Sequence, residues 1–471
     1  MPAKIRILAL LVLFCRMTAL PQTRQAPALL PPDPRYKADL LLIVAHPDDD
    51  VVIGGYLARA SLDQHKRIAV IYCTPGDGGG NAVGNEAGTA LGQMRILEAR
   101  RALAPLGIEN IWFLGGHDTP GQDPLRSLDR WGHGRMLEEV VRLVRLTRPE
   151  VILTWLPDYV VGENHGDHQA AGVLATEAFD LAGDSTQFAE QVWPARNRTG
   201  MANLTEGLHP WQTKKLYFAT DAFEDFGPYW HNPAELSPFR PNFLHGHGPV
   251  YANTDESPAR HRSYARLNAE QQLFYLTQEA DLAQQAFAAK DLRGFEYPMR
   301  LLFGKSVVGG SVTGDVFEGV REQPANFVPV PGWQADAKVG VSLRIAGPWA
   351  FYSGFWKAHA LDHLAQLIPV PEASVGFGQT LSVPLLLRND TAAAVVVKVT
   401  AQLPAKWADR TRYALYPLAP GESYPLRVEM VAPPSATAAW QELSWAAEVD
   451  GKPAGAVKLR VMLTKSGGLQ E

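Results

Sequence analysis

Four apolar runs of strand length, spaced by helical stretches, constrain this chain more than any other feature. Residues 40–45, 67–73, 111–114 and 151–155 are the runs. Such continuous apolar segments belong to strands buried on both faces, as in a parallel sheet. Between them, residues 51–64, 89–106 and 132–148 read as helices, the second closed by Gly107, and Asp167 opens a further helix to about Leu181. Strands alternating with helices at this spacing predict βαβ units. The expected fold is α/β, a doubly wound, Rossmann-like, mostly parallel sheet. Ligands of such sheets bind beyond the carboxyl ends of the strands.

The residues at those ends are polar and chemically capable. His46-Pro47-Asp48-Asp49-Asp50 follows the first run and Gly76-Asp77-Gly78-Gly79-Gly80 the second. Gly116-His117-Asp118 follows the third, and Glu163-Asn164-His165-Gly166-Asp167-His168 the fourth. An imidazole and a carboxylate three residues apart, His46 and Asp49, can share one divalent ion, and His168 can supply a third ligand. Two His and one Asp leave a tetrahedral zinc with an open position, the arrangement of catalytic sites. Asp48 stays free to accept a proton from water, and His165 can face the same cavity. Plainer readings exist: Asp48, Asp49 or Asp167 as helix caps, and His165 and His168 as loop residues. The convergence of both motifs on one sheet edge favours a metal site.

Composition narrows the alternatives. Lys and Arg number 44 against 49 Asp and Glu, a net charge of −5, and no segment is densely basic, which excludes a nucleic-acid groove. Only Cys15 and Cys73 are present, so neither a cysteine-held zinc nor a disulfide framework is available. The glycines at 76–80 lack both the third-glycine spacing and the lysine of phosphate loops, and read as an active-site rim. Residues 185–330 are irregular and aromatic-rich. Trp193, Trp211, Tyr229 and Trp230 suit core more than sugar stacking, and His231, His245 and His247 read as loop residues.

The motifs Ala45-His46-Pro47-Asp48-Asp49-Asp50 and His165-Gly166-Asp167-His168 resemble those of the PIG-L (LmbE-like) zinc-dependent N-deacetylases. Arg95-Ile96-Leu97-Glu98 and Phe113-Leu114-Gly115-Gly116-His117-Asp118 are similar to that family too. The resemblance is good over residues 38–183, faint to about residue 290, and absent beyond. It implies one zinc per chain on His46, Asp49 and His168. It also implies Asp48 as general base, and His165 stabilising the oxyanion or protonating the leaving amine. Arg95 and Asp118 would line the sugar site, although an exposed Arg95 paired with Glu98 along the helix is the plainer reading. Asp167 and Asp50 would support the ligands from behind. Two departures stand out: Asp50 where the family usually has Glu, and Gly166 where it usually has Pro.

The implied activity is hydrolysis of an acetyl group from an N-acetylated amino sugar, such as an N-acetylglucosaminyl compound. Two alternatives keep or empty the site: a zinc amidase on a non-sugar N-acyl substrate, or a carbohydrate-binding protein with an inactive deacetylase domain. Lys4 and Arg6 followed by an apolar run at 7–15 suit a signal peptide over residues 1–19, with export to a bacterial periplasm or the exterior. That run is too short to span a membrane, so no transmembrane span is expected in the mature chain. The expected organisation is an α/β domain over 38–330, a linker at 331–369, and an all-β sandwich over 370–471, where short β runs alternate with turns.

Overall fold

A computed structural model describes residues 31–157, 165–192, 206–220, 248–321, 340–365 and 371–464. The expected signal segment, Glu163, Asn164, Trp193, Tyr229, Trp230 and the three histidines at 231, 245 and 247 lie outside the described residues.

Strand β1 (Leu40–Val44) is buried at all five positions and lies parallel between β2 (Ile68–Tyr72) and β4 (Val151–Trp155). Strand β3 (Asn110–Phe113) runs parallel beside β2, and β5 (Lys215–Ala219) parallel beside β4. An antiparallel edge strand, Leu302–Ser306, completes six strands in the order edge–β5–β4–β1–β2–β3. Chain order therefore reverses between β1 and β4, where the loops after those two strands diverge and leave a crevice.

Side-chain alternation along β1 divides the core into two layers. Leu41, Ile43 and Ala45 pack with helices α3 (Pro124–Trp131), α4 (His133–Thr147) and α5 (Gly166–Leu181), through Trp131, Val140 and Val173. Leu40, Leu42 and Val44 face α1 (Gly54–Ala58), α2 (Thr89–Leu103) and α6 (Tyr264–Gln272), through Leu57, Ala102 and Leu267. Each fully buried Leu contributes about 1.5–3 kcal/mol, so the two layers fix which residues of the following loops meet. Helix α2 ends in a short 3-10 turn closed by Gly107 at φ +72°, as expected.

Three local expectations are corrected. The helix expected at 51–64 is three successive helical forms, 3-10 at Asp49–Ile53, α at Gly54–Ala58 and π at Arg59–Asp63. Helix α3 was not expected. It starts where the Asp123 carboxylate caps the Leu125 and Arg126 N–H groups ahead of Pro124. The single helix expected at 258–290 is α6 and α7 (Ala280–Ala289), separated by a turn whose Tyr275 and Thr277 side chains reach the sheet domain.

The expected linker at 331–369 is corrected as well. Val341–Ile345 is a strand paired with Thr380–Asn389 of the C-terminal region, while helix α8 (Pro348–Ala358) returns to the α/β core. Tyr352, Phe355 and Trp356 are buried there, and the Trp356 indole N–H donates to Pro157 O at 3.0 Å. The C-terminal region holds two sheets, one antiparallel and one mostly so, with Glu372–Gly376 parallel to Lys452–Thr464. They share one apolar cluster, with Leu385 and Met430 from one sheet and Val399 and Trp445 from the other. Among the described residues no helix is long and apolar enough to cross a membrane.

Candidate metal centre and active site

The loops after β1, β3 and β4 meet in the crevice. Asp49 is placed by its own turn: its Oδ2 accepts the N–H groups of Ala45 at 2.9 Å and His46 at 3.0 Å, and the Trp155 indole N–H at 2.7 Å. Three donors on one oxygen leave Oδ1 to face His168 Nε2 at 3.2 Å and His46 Nδ1 at 3.6 Å. Burial works against the charge on Asp49, but His168 and His46 hold its carboxyl well below the usual range. Ligand atoms of His46, Asp49 and His168 all lie within 4.8 Å of one another.

The other nitrogen of His46 is also engaged. Its Nε2 lies 3.1 Å from Asp167 Oδ2, which accepts the Thr119 N–H at 2.8 Å. A carboxylate behind an imidazole whose second nitrogen faces a ligand cluster is how metal-binding histidines are oriented. Asp167 is fully buried. The His168 ring stacks on Trp155, centroids 4.3 Å apart and planes 7° apart. Two nitrogens and one oxygen, with these partners, fit a divalent ion.

His165 caps α5. Its Nδ1 accepts the Asp167 N–H at 3.2 Å, so in the neutral ring the proton sits on Nε2. Burial, with His46 and His168 adjacent, pushes its pKa down to about 4. Its ring lies 5.2 Å from that of His46 and 5.6 Å from that of His168, measured between centroids. Gly166 follows because space demands it: a Cβ there would lie 2.9–3.0 Å from the Asp123 backbone. Its N–H also donates to Gly121 O at 3.0 Å, a bond proline would remove. The glycine at this position thus has a steric cause.

Asp48 sits at φ +113°, a region few non-glycine residues occupy. Burial, with Glu279 and Asp49 nearby, pushes its carboxyl well above the usual range against the pull of Arg95 and His46. Asp118 is beside the cluster, with Oδ1 3.8 Å from His46 Nε2. It accepts the Thr74 hydroxyl at 2.5 Å and the Gly78 N–H at 2.9 Å.

The plainer reading of Arg95 fails, and the expectation for Asp50 is corrected. Arg95 does not pair with Glu98. Its buried guanidinium donates to Gly76 O and Gly80 O, each at 2.8 Å, and so ties down the glycine-rich rim. Glu98 instead accepts the Thr277 N–H at 2.9 Å and hydroxyl at 2.7 Å. Asp50, expected behind the ligands, points into the other core layer, where it accepts the hydroxyls of Tyr72 at 2.7 Å and Tyr275 at 2.5 Å, and the amide of Gln271. Burial raises its pKa against those hydrogen bonds. Trp211 is core-side, its indole N–H donating to Pro149 O at 2.7 Å. Sequence reasoning missed Trp155, whose only signal was its place at the end of β4.

The region that holds these residues is similar to known proteins. Residues 41–179 match the family PIG-L: GlcNAc-PI de-N-acetylase. A 1D-myo-inositol 2-acetamido-2-deoxy-alpha-D-glucopyranoside deacetylase of Catenulispora acidiphila is 27% identical over 233 residues, 44% of this chain and 72% of the relative. One from Frankia alni is 32% identical over 189 residues, 37% of this chain and 59% of the relative. The chain thus spans less than two thirds of the second relative's length. Among solved structures, the N,N'-diacetylchitobiose deacetylase of Pyrococcus horikoshii aligns at 17% identity over 57% of this chain and 85% of its own, with a TM-score of 0.39. The span that matches this family, residues 41–179, carries His46, Asp49 and His168.

Proposed function

We propose that this protein is a zinc-dependent hydrolase that removes the acetyl group of an N-acetylated amino sugar. One observation carries the reading: Asp49 is turned by three N–H donors so that its free oxygen faces His46 and His168. Relatives named for deacetylating a 2-acetamido-2-deoxy-glucopyranoside support the substrate class. His46, Asp49 and His168 would hold the zinc. When bound, zinc polarises the amide carbonyl and acidifies water.

The remaining work falls to the chain. Asp48, next to the ligand turn and outside the ligand set, accepts the proton of the attacking water. His165 presents its Nε2–H to the developing oxyanion, and the proton taken up by Asp48 passes to the departing amine, a step that amide cleavage requires. Asp167 orients His46. Asp118 and the rim fixed by Arg95 border the sugar. We read the six strands as a doubly wound sheet and the two C-terminal sheets as a β-sandwich. Residues 1–19 are proposed as an export signal, placing the enzyme in a periplasm or outside the cell.

Acetate release from a panel of N-acetyl amino sugars tests the reading. Turnover that is abolished by a chelator and restored by zinc is expected. Cleavage of non-sugar N-acyl amides alone would replace the substrate class, and no turnover of any amide would overturn the activity.

A further inference from the structure

The turn at residues 47–50 carries both the proposed base and a proposed ligand, and its backbone is strained. Asp48 holds φ +113° and ψ −23°, a conformation that costs a non-glycine residue about 1–3 kcal/mol and persists only where its surroundings impose it. From the sheet side, Asp49 is fixed by its three N–H donors. From the opposite side, a single segment grips the turn on both flanks of Asp48. The Gln278 amide N–H donates to Pro47 O at 2.6 Å, and the Tyr275 hydroxyl to Asp50 Oδ1 at 2.5 Å.

That segment is itself anchored. Thr277 binds Glu98 of α2 through both its N–H and its hydroxyl, and its carbonyl accepts the Ala82 N–H of the glycine-rich rim at 3.0 Å. Helix α6, which leads into it, lies directly on Gly54: a Cβ at that position would come 2.1 Å from Asn268 Oδ1. None of these residues after α2 falls within the region matched to the family, residues 41–179.

We propose that Tyr275 and Gln278 are positioning residues of the site, holding the strained turn so that Asp48 stands beside the metal centre; this rests on the deacetylase reading above. Neither touches the reacting atoms, and both act through the backbone of Pro47 and the carboxylate of Asp50.

The test compares wild type with Tyr275→Phe, Gln278→Met and the double variant. These changes remove one donor each at nearly constant volume. Supporting partners of metal sites typically contribute about 10–100-fold to activity or affinity. The expected result for the double variant is a fall of that size in kcat with KM within about threefold. Wild-type kcat at lowered thermal stability would overturn the proposal, since the segment would then be structural only. A raised KM at unchanged kcat would also overturn it, marking a substrate contact. The visible absorption of the cobalt-loaded protein gives a second readout. If wild type releases no acetate from any amino sugar, the deacetylase reading fails separately. The cobalt band then decides: a band altered in the variants supports the clamp, and a wild-type band overturns it. Should the double variant not fold, Gln278→Met alone, at a partly buried bond, carries the same comparison.

Discussion

Replacing Trp155 by Phe isolates the part of the proposed metal centre that no sequence motif marks. The indole N–H donates to Asp49 Oδ2 at 2.7 Å, and the ring is 2% exposed and stacked on His168. A hydrogen bond to a charged group contributes about 1.5–3 kcal/mol, and the smaller ring leaves a gap that adds to the loss. The metal-free protein should therefore be destabilised by roughly 2–4 kcal/mol. Asp49 keeps its two backbone donors, so it should still bind metal, but with its carboxylate freer to turn. Zinc affinity should fall about 10–100-fold, the usual cost of a lost partner behind a ligand. Urea unfolding of metal-stripped protein gives the first quantity, and competition with a chromophoric chelator the second. The reasoning fails if stability drops while zinc affinity stays within about twofold of wild type. Trp155 would then be core packing, and the orientation of Asp49 would depend on Ala45 and His46 alone.

Three further outcomes follow from the same geometry. Asp48→Asn should keep its zinc while turnover falls about 10²–10⁴-fold, whereas Asp49→Asn should lose zinc and regain part of its activity in excess metal; zinc content beside acetate release separates them, and the reverse pattern would exchange the two roles. Gly166→Ala should destabilise by about 1–3 kcal/mol, because its Cβ would press on the Asp123 backbone, and Gly166→Pro by more, since it also removes the bond to Gly121 O; a wild-type urea midpoint for Gly166→Pro would refute the steric account. His133 Nε2 lies 2.6 Å from Glu177 Oε2, a hydrogen bond that raises the histidine pKa. A raised folded pKa stabilises fully below the unfolded value, about 6.5, and the gain is lost as pH rises through the folded value. Glu177→Gln should therefore lower stability by at most about 1 kcal/mol below the unfolded value and by progressively less as pH rises through the folded one, as thermal melts across a pH series would show.

What the sequence made legible was whatever local pattern decides. Strands β1 and β2 are apolar throughout, and β4 is apolar but for Thr154, because both faces are covered, and bounded runs of that kind announce themselves. The meeting of His46, Asp49 and His168 followed from strand ends alone, since parallel strands deliver their loops to one edge. Partner choice was not legible. Arg95 and Glu98 share a helix face at i,i+3, which says only that they could pair. Both are buried, and there the carbonyls of Gly76 and Gly80 and the polar groups of Thr277 satisfy them instead. Asp50 was misplaced for a related reason: adjacent residues of a tight turn point apart, so its neighbours' roles do not transfer. Its partners Gln271 and Tyr275 lie 221 and 225 residues away in sequence, beyond the reach of any spacing argument.

The same non-locality bears on how the chain divides. A boundary placed where the β texture begins, near residue 370, would leave Val341–Ile345 without Thr380–Asn389, its partner strand. It would also leave α8 attached to the α/β core by Trp356, which bonds Pro157 just after β4. His359 Nδ1 and Lys305 Nζ both meet the Asp180 carboxylate, binding α8, the edge strand and α5 together. The chain thus gives a strand to the C-terminal sheets, returns to the α/β core for one helix, and only then completes those sheets. Two cores joined in that order cannot be parted at a single peptide bond without exposing apolar surface on one of them. The C-terminal region is in this sense a structural partner of the α/β core.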